Sequence, residues 1–186
     1  ANANALIALQ SSGMGEGWSD WWSLVLTQQS AGETTAGRGM GTYALGQAPN
    51  GLGSRQFKYD FDIANQSFET FLNFGVGPGQ STLVHNVGTR WAAALWDITH
   101  LLIQKLGFEP NVYNSASTAG NIRALHLIMS ALKLQPANPS FIAARDAIIS
   151  ADNLLHGGSN LLEIWTAFAR RGLGFGASTA SSSSSS

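Results

Sequence analysis

The stretch Gly13-Met14-Gly15-Glu16-Gly17-Trp18-Ser19-Asp20 holds the residues of this sequence best suited to chemistry. Glu16 and Asp20 are one helical turn apart, which puts both carboxylates on the same side of a helix. Glycines flank Glu16 and leave room for another group to approach its carboxylate. Trp18, Trp21 and Trp22 make the segment strongly apolar. Two acids on such a helix are expensive to bury unless a cation or hydrogen-bond donors meet them. A metal ion with a metal-bound histidine would satisfy both acids at once. A solvated acid pair, favoured by the positive end of a helix, is the simpler reading, and spacing leaves both open.

Histidines are the next resource. His85 stands at the start of the longest helical pattern, where it could donate to an oxyanion or bond only to local backbone. His100, on the same pattern beside Leu101 and Leu102, reads as a partly buried, hydrogen-bonded histidine, and His126 between Leu125 and Leu127 reads the same way. His156 precedes Gly157-Gly158 and reads as a solvated loop residue. Arg55 and Tyr59 lie in a loop-rich stretch where substrate-binding residues often sit. Arg145-Asp146 and Arg170-Arg171 read as structural, either salt-bridging or helix-end charges of modest energy. Gly75-Val76-Gly77-Pro78-Gly79 lacks the Lys-Ser/Thr of a phosphate loop and is not read as one.

The elements that must position these groups follow from periodicity. Helical pieces are expected over 3–9 and about 14–28, separated by Ser11-Ser12-Gly13. Residues 29–80 are rich in Gly, Thr, Asn and Gln and read as a long irregular excursion, with a short strand at 57–63 where apolar and polar residues alternate. Val84, Val87, Trp91, Leu95, Ile98 and Leu102 recur at spacings of three and four, predicting a helix over 81–106, capped by Ser81 and stopped by Gly107. A second helix is predicted over 121–134, with Ile122, Leu125, Met129 and Leu132 on one face. A third begins at Asn138-Pro139 and runs to about Leu155, and Ser159 caps a last one ending near Arg171, before Gly172. The Gly/Ser-rich stretch from Gly174 to Ser186 is expected to be a flexible tail.

Composition narrows the function classes. The chain has 186 residues, 44% of them hydrophobic, so it can bury a sizeable core. Only 11% are charged, and ten Lys+Arg against eleven Asp+Glu give a net charge of -1. That balance argues against nucleic acid and against an anionic membrane surface as partners. No uncharged apolar run reaches the length of a membrane span. The absence of Cys excludes disulfides, thiol catalysis and thiolate metal sites. So little charge points to a surface covered by a partner. The chain begins at Ala1 with no visible signal peptide, and the expectation is a processed product or a piece of a longer protein.

Four ordered blocks resemble one family. They are Gly13 to Asp20; Val84-His85-Asn86-Val87-Gly88-Thr89-Arg90-Trp91-Ala92; Leu134 through Ile148, including Asn138-Pro139-Ser140-Phe141; and Phe168-Ala169-Arg170-Arg171-Gly172-Leu173-Gly174. Together they resemble the fungalysin family of secreted, thermolysin-like zinc metallopeptidases, over nearly the whole chain to about Gly176. The resemblance implies a mainly α fold, the helical C-terminal lobe of such an enzyme, spanning 1–176, with the irregular excursion at 29–80 and a Ser-rich tail at 177–186. It implies that Glu16 is the third zinc ligand, that Asp20 orients a zinc-bound histidine, and that His85 stabilises the oxyanion. It also implies secretion, protein or peptide substrates, and Zn2+ as cofactor. The family's His-Glu-x-x-His motif is absent from the sequence: none of its four histidines is followed by Glu. Two histidine ligands and the general base would therefore have to come from an N-terminal lobe, and the chain alone is expected to be inactive. The alternative is an inactive structural protein that assembles with copies of itself through an exposed Trp-rich face.

Overall fold

Eighteen residues containing three glycines make a poor helix in isolation, so the first helix depends on what packs around it. In the computed structural model, which describes residues 4–63 and 84–179, α1 (Leu9–Leu26) runs without a break through Ser11-Ser12-Gly13. This replaces the two-piece expectation. Its N-cap position, Ala8, offers no side-chain cap. Asn138, distant in sequence, does that work: its Oδ1 accepts from the N–H of Ile7 (2.7 Å) and Ala8 (3.1 Å) and from the Ser11 hydroxyl (3.1 Å). Gln10 returns the favour, its Oε1 accepting from the N–H of Phe141 at 2.8 Å. Two helix starts thus satisfy each other's orphan donors.

Asn138 sits at φ 51°, so it cannot begin the helix expected there. Ser140 is the N-cap of α5 (Phe141–His156), accepting from the Ala143 N–H at 3.1 Å. The remaining elements among the described residues are α2 (Glu33–Ala36), α3 (Val84–Leu106), α4 (Gly120–Leu134) and α6 (Leu161–Arg170), with a 3-10 turn at Tyr43–Leu45. The mainly α expectation holds. Gly107, at φ 79°, stops α3 as predicted, its N–H bonding to Ile103 O at 2.8 Å. His156 is the last residue of α5, half-buried, rather than a loop residue. Before α6 the cap position is Asn160, held by buried Asp152, and not Ser159.

α3 is the axis of the molecule. Every residue from Trp91 to His100 is buried, because α1, α2, α4 and α6 all pack on it. The periodic face Val87, Trp91, Leu95, Ile98 and Leu102 is fully enclosed as predicted. Trp91 meets Trp18 edge-on at 6.0 Å and packs beside Phe141 and Phe168. Each large side chain of this kind contributes on the order of 2 kcal/mol by burial. On α4 the buried set is Ile122, Ala124, Leu125, Leu127, Ile128 and Ala131. Met129 and His126 are exposed, contrary to expectation, because the face shared with α3 and α5 is rotated away from them. None of the six tryptophans is exposed, so the surface invoked for self-assembly does not exist in the described residues.

The glycines of α1 have a different job from the one expected. A Cβ at Gly17 would lie 2.4 Å from Gly88 O, and one at Gly88 would lie 2.6 Å from Gly13 O. Backbone therefore touches backbone where α1 crosses α3, a contact only glycine permits. Gly13 and Gly17 bring the two helices together, whereas a Cβ at Gly15 would meet only Leu6, at 3.4 Å.

Residues 29–63 form the irregular excursion. The strand expected at 57–63 is a strap instead. Tyr59 makes one isolated antiparallel bridge with Arg38, the Phe61 N–H goes to Thr34 O (2.9 Å), and the carbonyls of Asp60 and Phe61 accept from Arg171 (3.0 Å) and Arg170 (2.6 Å). Guanidinium groups take the place of a neighbouring strand. Within the stretch expected as tail, Ala177 packs against the core and Thr179 Oγ1 accepts from Gln10. Ser81, Gly75 to Gly79 and residues 180–186 lie outside the described residues. No helix among the described residues is long and apolar enough to cross a membrane.

Candidate active site

The glycine crossing fixes which side chains meet. Gly88 lies against Gly13 and Gly17, so the first turn of α3 is carried alongside the middle of α1. There His85 Nε2 is 3.1 Å from Glu16 Oε2. Both are open to solvent, with 55% and 39% of their side chains exposed. A pair this exposed contributes little to stability. Glu16 is thus a carboxylate held in place by helix packing rather than consumed by it.

Asp20, one turn along α1, is in the opposite condition. It is buried, and three donors converge on it: Arg55 Nε to Oδ2 (2.7 Å), Arg55 Nη2 to Oδ1 (2.7 Å) and the Tyr59 hydroxyl to Oδ2 (2.6 Å). The hydrogen bonds that Arg55 donates to Asp20 raise the pKa of Arg55. Burial first, and then the charge of Asp20, push the Tyr59 phenol well up, so it stays a donor. The bidentate fork is the strong geometry for such a pair. Sequence reading placed Arg55 and Tyr59 only among loop residues that could touch substrate. The signal that could have paired them with Asp20 is the cost of burying an acid on a Trp-rich helix.

A second acid centre was not anticipated. Asp97, fully buried on α3, receives Arg171 Nε at 2.8 Å and Nη2 at 2.7 Å, with Arg170 at 3.6 Å. Arg170-Arg171 is thus salt-bridging, one of the two structural readings expected, but Arg171 is fully buried, so its pairing is not the modest surface kind. Arg170 also lies 3.8 Å over the ring of Phe61, whose other neighbour is His100, stacked at 3.9 Å. His100 Nδ1 is 2.7 Å from Thr34 Oγ1. His100 is therefore buried and bonded as predicted, and is committed to the strap. Burial, reinforced by Arg170, lowers its pKa.

Among the described residues no three His, Cys, Asp or Glu side chains converge to hold a metal ion. Glu16 fits the part of a single ligand: its side chain is 39% exposed and, among the described residues, it lies beside the His85 imidazole.

The chain matches the fungalysin metallopeptidase family over residues 1–177. It is 40% identical over 182 residues to the extracellular metalloproteinase mep of Aspergillus fumigatus, covering 95% of this chain and 27% of that protein. It is 41% identical over 180 residues to extracellular metalloproteinase 2 of Phaeosphaeria nodorum (94% and 27%), and 39% identical over 183 residues to extracellular metalloproteinase 4 of Arthroderma gypseum (95% and 27%). The chain spans about a quarter of the length of these relatives. With its four sequence blocks and its helical fold, the chain belongs to the fungalysin metallopeptidase family.

Proposed function

We propose that this chain is the helical lobe of an extracellular zinc endopeptidase, supplying the third zinc ligand to a site completed by a lobe that carries His-Glu-x-x-His. The observation that carries this reading is the meeting of Glu16 and His85 on an exposed face where α1 crosses α3. The glycine crossing brings these two blocks together from far apart in sequence, and the exposed Glu16–His85 pair itself adds little to stability. Glu16 binds the metal, Asp20 accepts an N–H from one histidine ligand and fixes its tautomer, and His85 donates to the oxygen of the tetrahedral intermediate. A zinc ion held in this way supplies water activation and carbonyl polarisation. The relatives' names support an extracellular setting. Protein or peptide is the substrate.

The test is zinc content. The complete proteinase, with this chain and the histidine-bearing lobe together, is dialysed and its metal measured. One zinc per complex is expected, falling to near zero in Glu16→Ala together with peptidase activity. Retention of one zinc by Glu16→Ala overturns the assignment.

A further inference from the structure

The contacts around Asp20 are unequal. Oδ2 accepts twice, from Arg55 Nε and from the Tyr59 hydroxyl, whereas Oδ1 accepts once, from Arg55 Nη2. A carboxylate has about four acceptor positions. Among the described residues Oδ2 takes two donors and Oδ1 one, so Oδ1 has an acceptor position left for a further donor. Tyr59 makes this asymmetry, since Arg55 alone would load both oxygens evenly.

Tyr59 is also the best-anchored residue of the strap. It is fully buried, and its backbone exchanges two 2.9 Å hydrogen bonds with Arg38. Arg38 in turn donates to Leu24 O on α1, at 2.8 Å. Two residues on, Phe61 is clamped between Arg170 and His100. The hydroxyl is thus delivered to Asp20 by a backbone fixed at both sides, and its low freedom is imposed on the carboxylate.

We infer that Tyr59 is a positioning residue of the zinc site, fixing Asp20 so that Oδ1 faces the histidine ligand contributed by the other lobe. The inference rests on the Glu16 and Asp20 assignment made above. The role assigned to Tyr59 is exercised through its hydrogen bond to Asp20.

The experiment is a double-mutant cycle of Tyr59→Phe and Asp20→Asn in the complete zinc proteinase, read by zinc dissociation constant in a chelator competition and by kcat and KM separately. Supporting partners of metal ligands are worth about 10–100-fold in metal affinity or activity. Asp20→Asn is expected to weaken zinc by an amount in that range. Tyr59→Phe is expected to weaken it about 10-fold with KM nearly unchanged, and to add nothing on top of Asp20→Asn. If Asp20→Asn leaves zinc affinity and kcat untouched, the underlying assignment fails. If Asp20→Asn acts but Tyr59→Phe does not, or if the two effects simply add, the inference about Tyr59 fails and the assignment stands. Should Tyr59→Phe not fold, ring-fluorinated tyrosines placed at position 59 alone keep ring and hydroxyl while grading donor strength. Zinc affinity is expected to follow that grading, and a flat series overturns the inference.

Discussion

Glu16 and Asp97 are both acids on helices that cross the core, yet their surroundings differ completely. Asp97 is sealed inside, with a bidentate Arg171 and a second guanidinium from Arg170. Glu16 stands half in solvent with one imidazole beside it. A buried charge must be paired with nearly ideal geometry or it destabilises the fold. An exposed charge is under no such demand and stays available for a ligand. Asp20 lies between the two: buried and paired like Asp97, but one helical turn from Glu16 and with an acceptor position left. Arg55, Arg170 and Arg171 thus go to the acids that hold the excursion in place, and Glu16 is met by no arginine among the described residues.

The largest effect that would break this comparison is at Asp97. Asp97→Ala removes the bidentate carboxylate partner of the buried Arg171, and should cost about 3–5 kcal/mol in denaturant unfolding. A loss below about 1 kcal/mol would show that the pair is not the anchor described. Next is the helix crossing. Gly88→Ala pushes a Cβ against the backbone of Gly13 and Gly17, and should cost about 1–3 kcal/mol. It should also separate Glu16 from His85, measurable as loss of cross-peaks between them in NMR.

The strap supplies a pH-dependent effect of smaller size. His100 has a folded-state pKa below the ordinary value of 6.5, through burial and the neighbouring Arg170. The unfolded chain therefore takes up its proton at higher pH than the folded chain. The stability held by neutral His100 is complete well above pH 6.5 and is lost as pH falls through that value towards the folded pKa. Melting temperatures should decline across this window, and His100→Gln should flatten the decline. A parent profile that is level there would remove His100 from the account. The smallest expected effect sharpens the contrast: Glu16→Gln should change the stability of this chain by no more than about 0.5 kcal/mol, while abolishing zinc binding in the complete proteinase. A large loss of stability would place Glu16 with the structural acids.

Much of the fold was legible because burial writes periodicity into a helix. Val87, Trp91, Leu95, Ile98 and Leu102 announce α3, and Gly107 announces its end. Capping was less legible. Asn138 looks like a helix start in sequence, but its positive φ and its bonds to Ile7 and Ala8 make it the cap of a helix far away in the chain. The strap misled for a similar reason. Alternation at 57–63 is what a strand would show, yet its carbonyls are taken by Arg170 and Arg171, which no local pattern reveals. His126 and Met129 fell on the wrong side because a helix packed on two neighbours buries a face that periodicity alone does not orient.

The sequence by itself determined the helix positions, the candidate acids and the family resemblance, because these depend on residue type and short spacing. The tertiary structure alone decided which acid was committed and which was left open. Charge pairing is set by which residues distant in the chain arrive within 3 Å, as Arg55 and Tyr59 do at Asp20 and Arg171 does at Asp97. That arrival depends on the backbone contact between Gly17 and Gly88 and on the strap crossing the core, and neither is encoded at any single position.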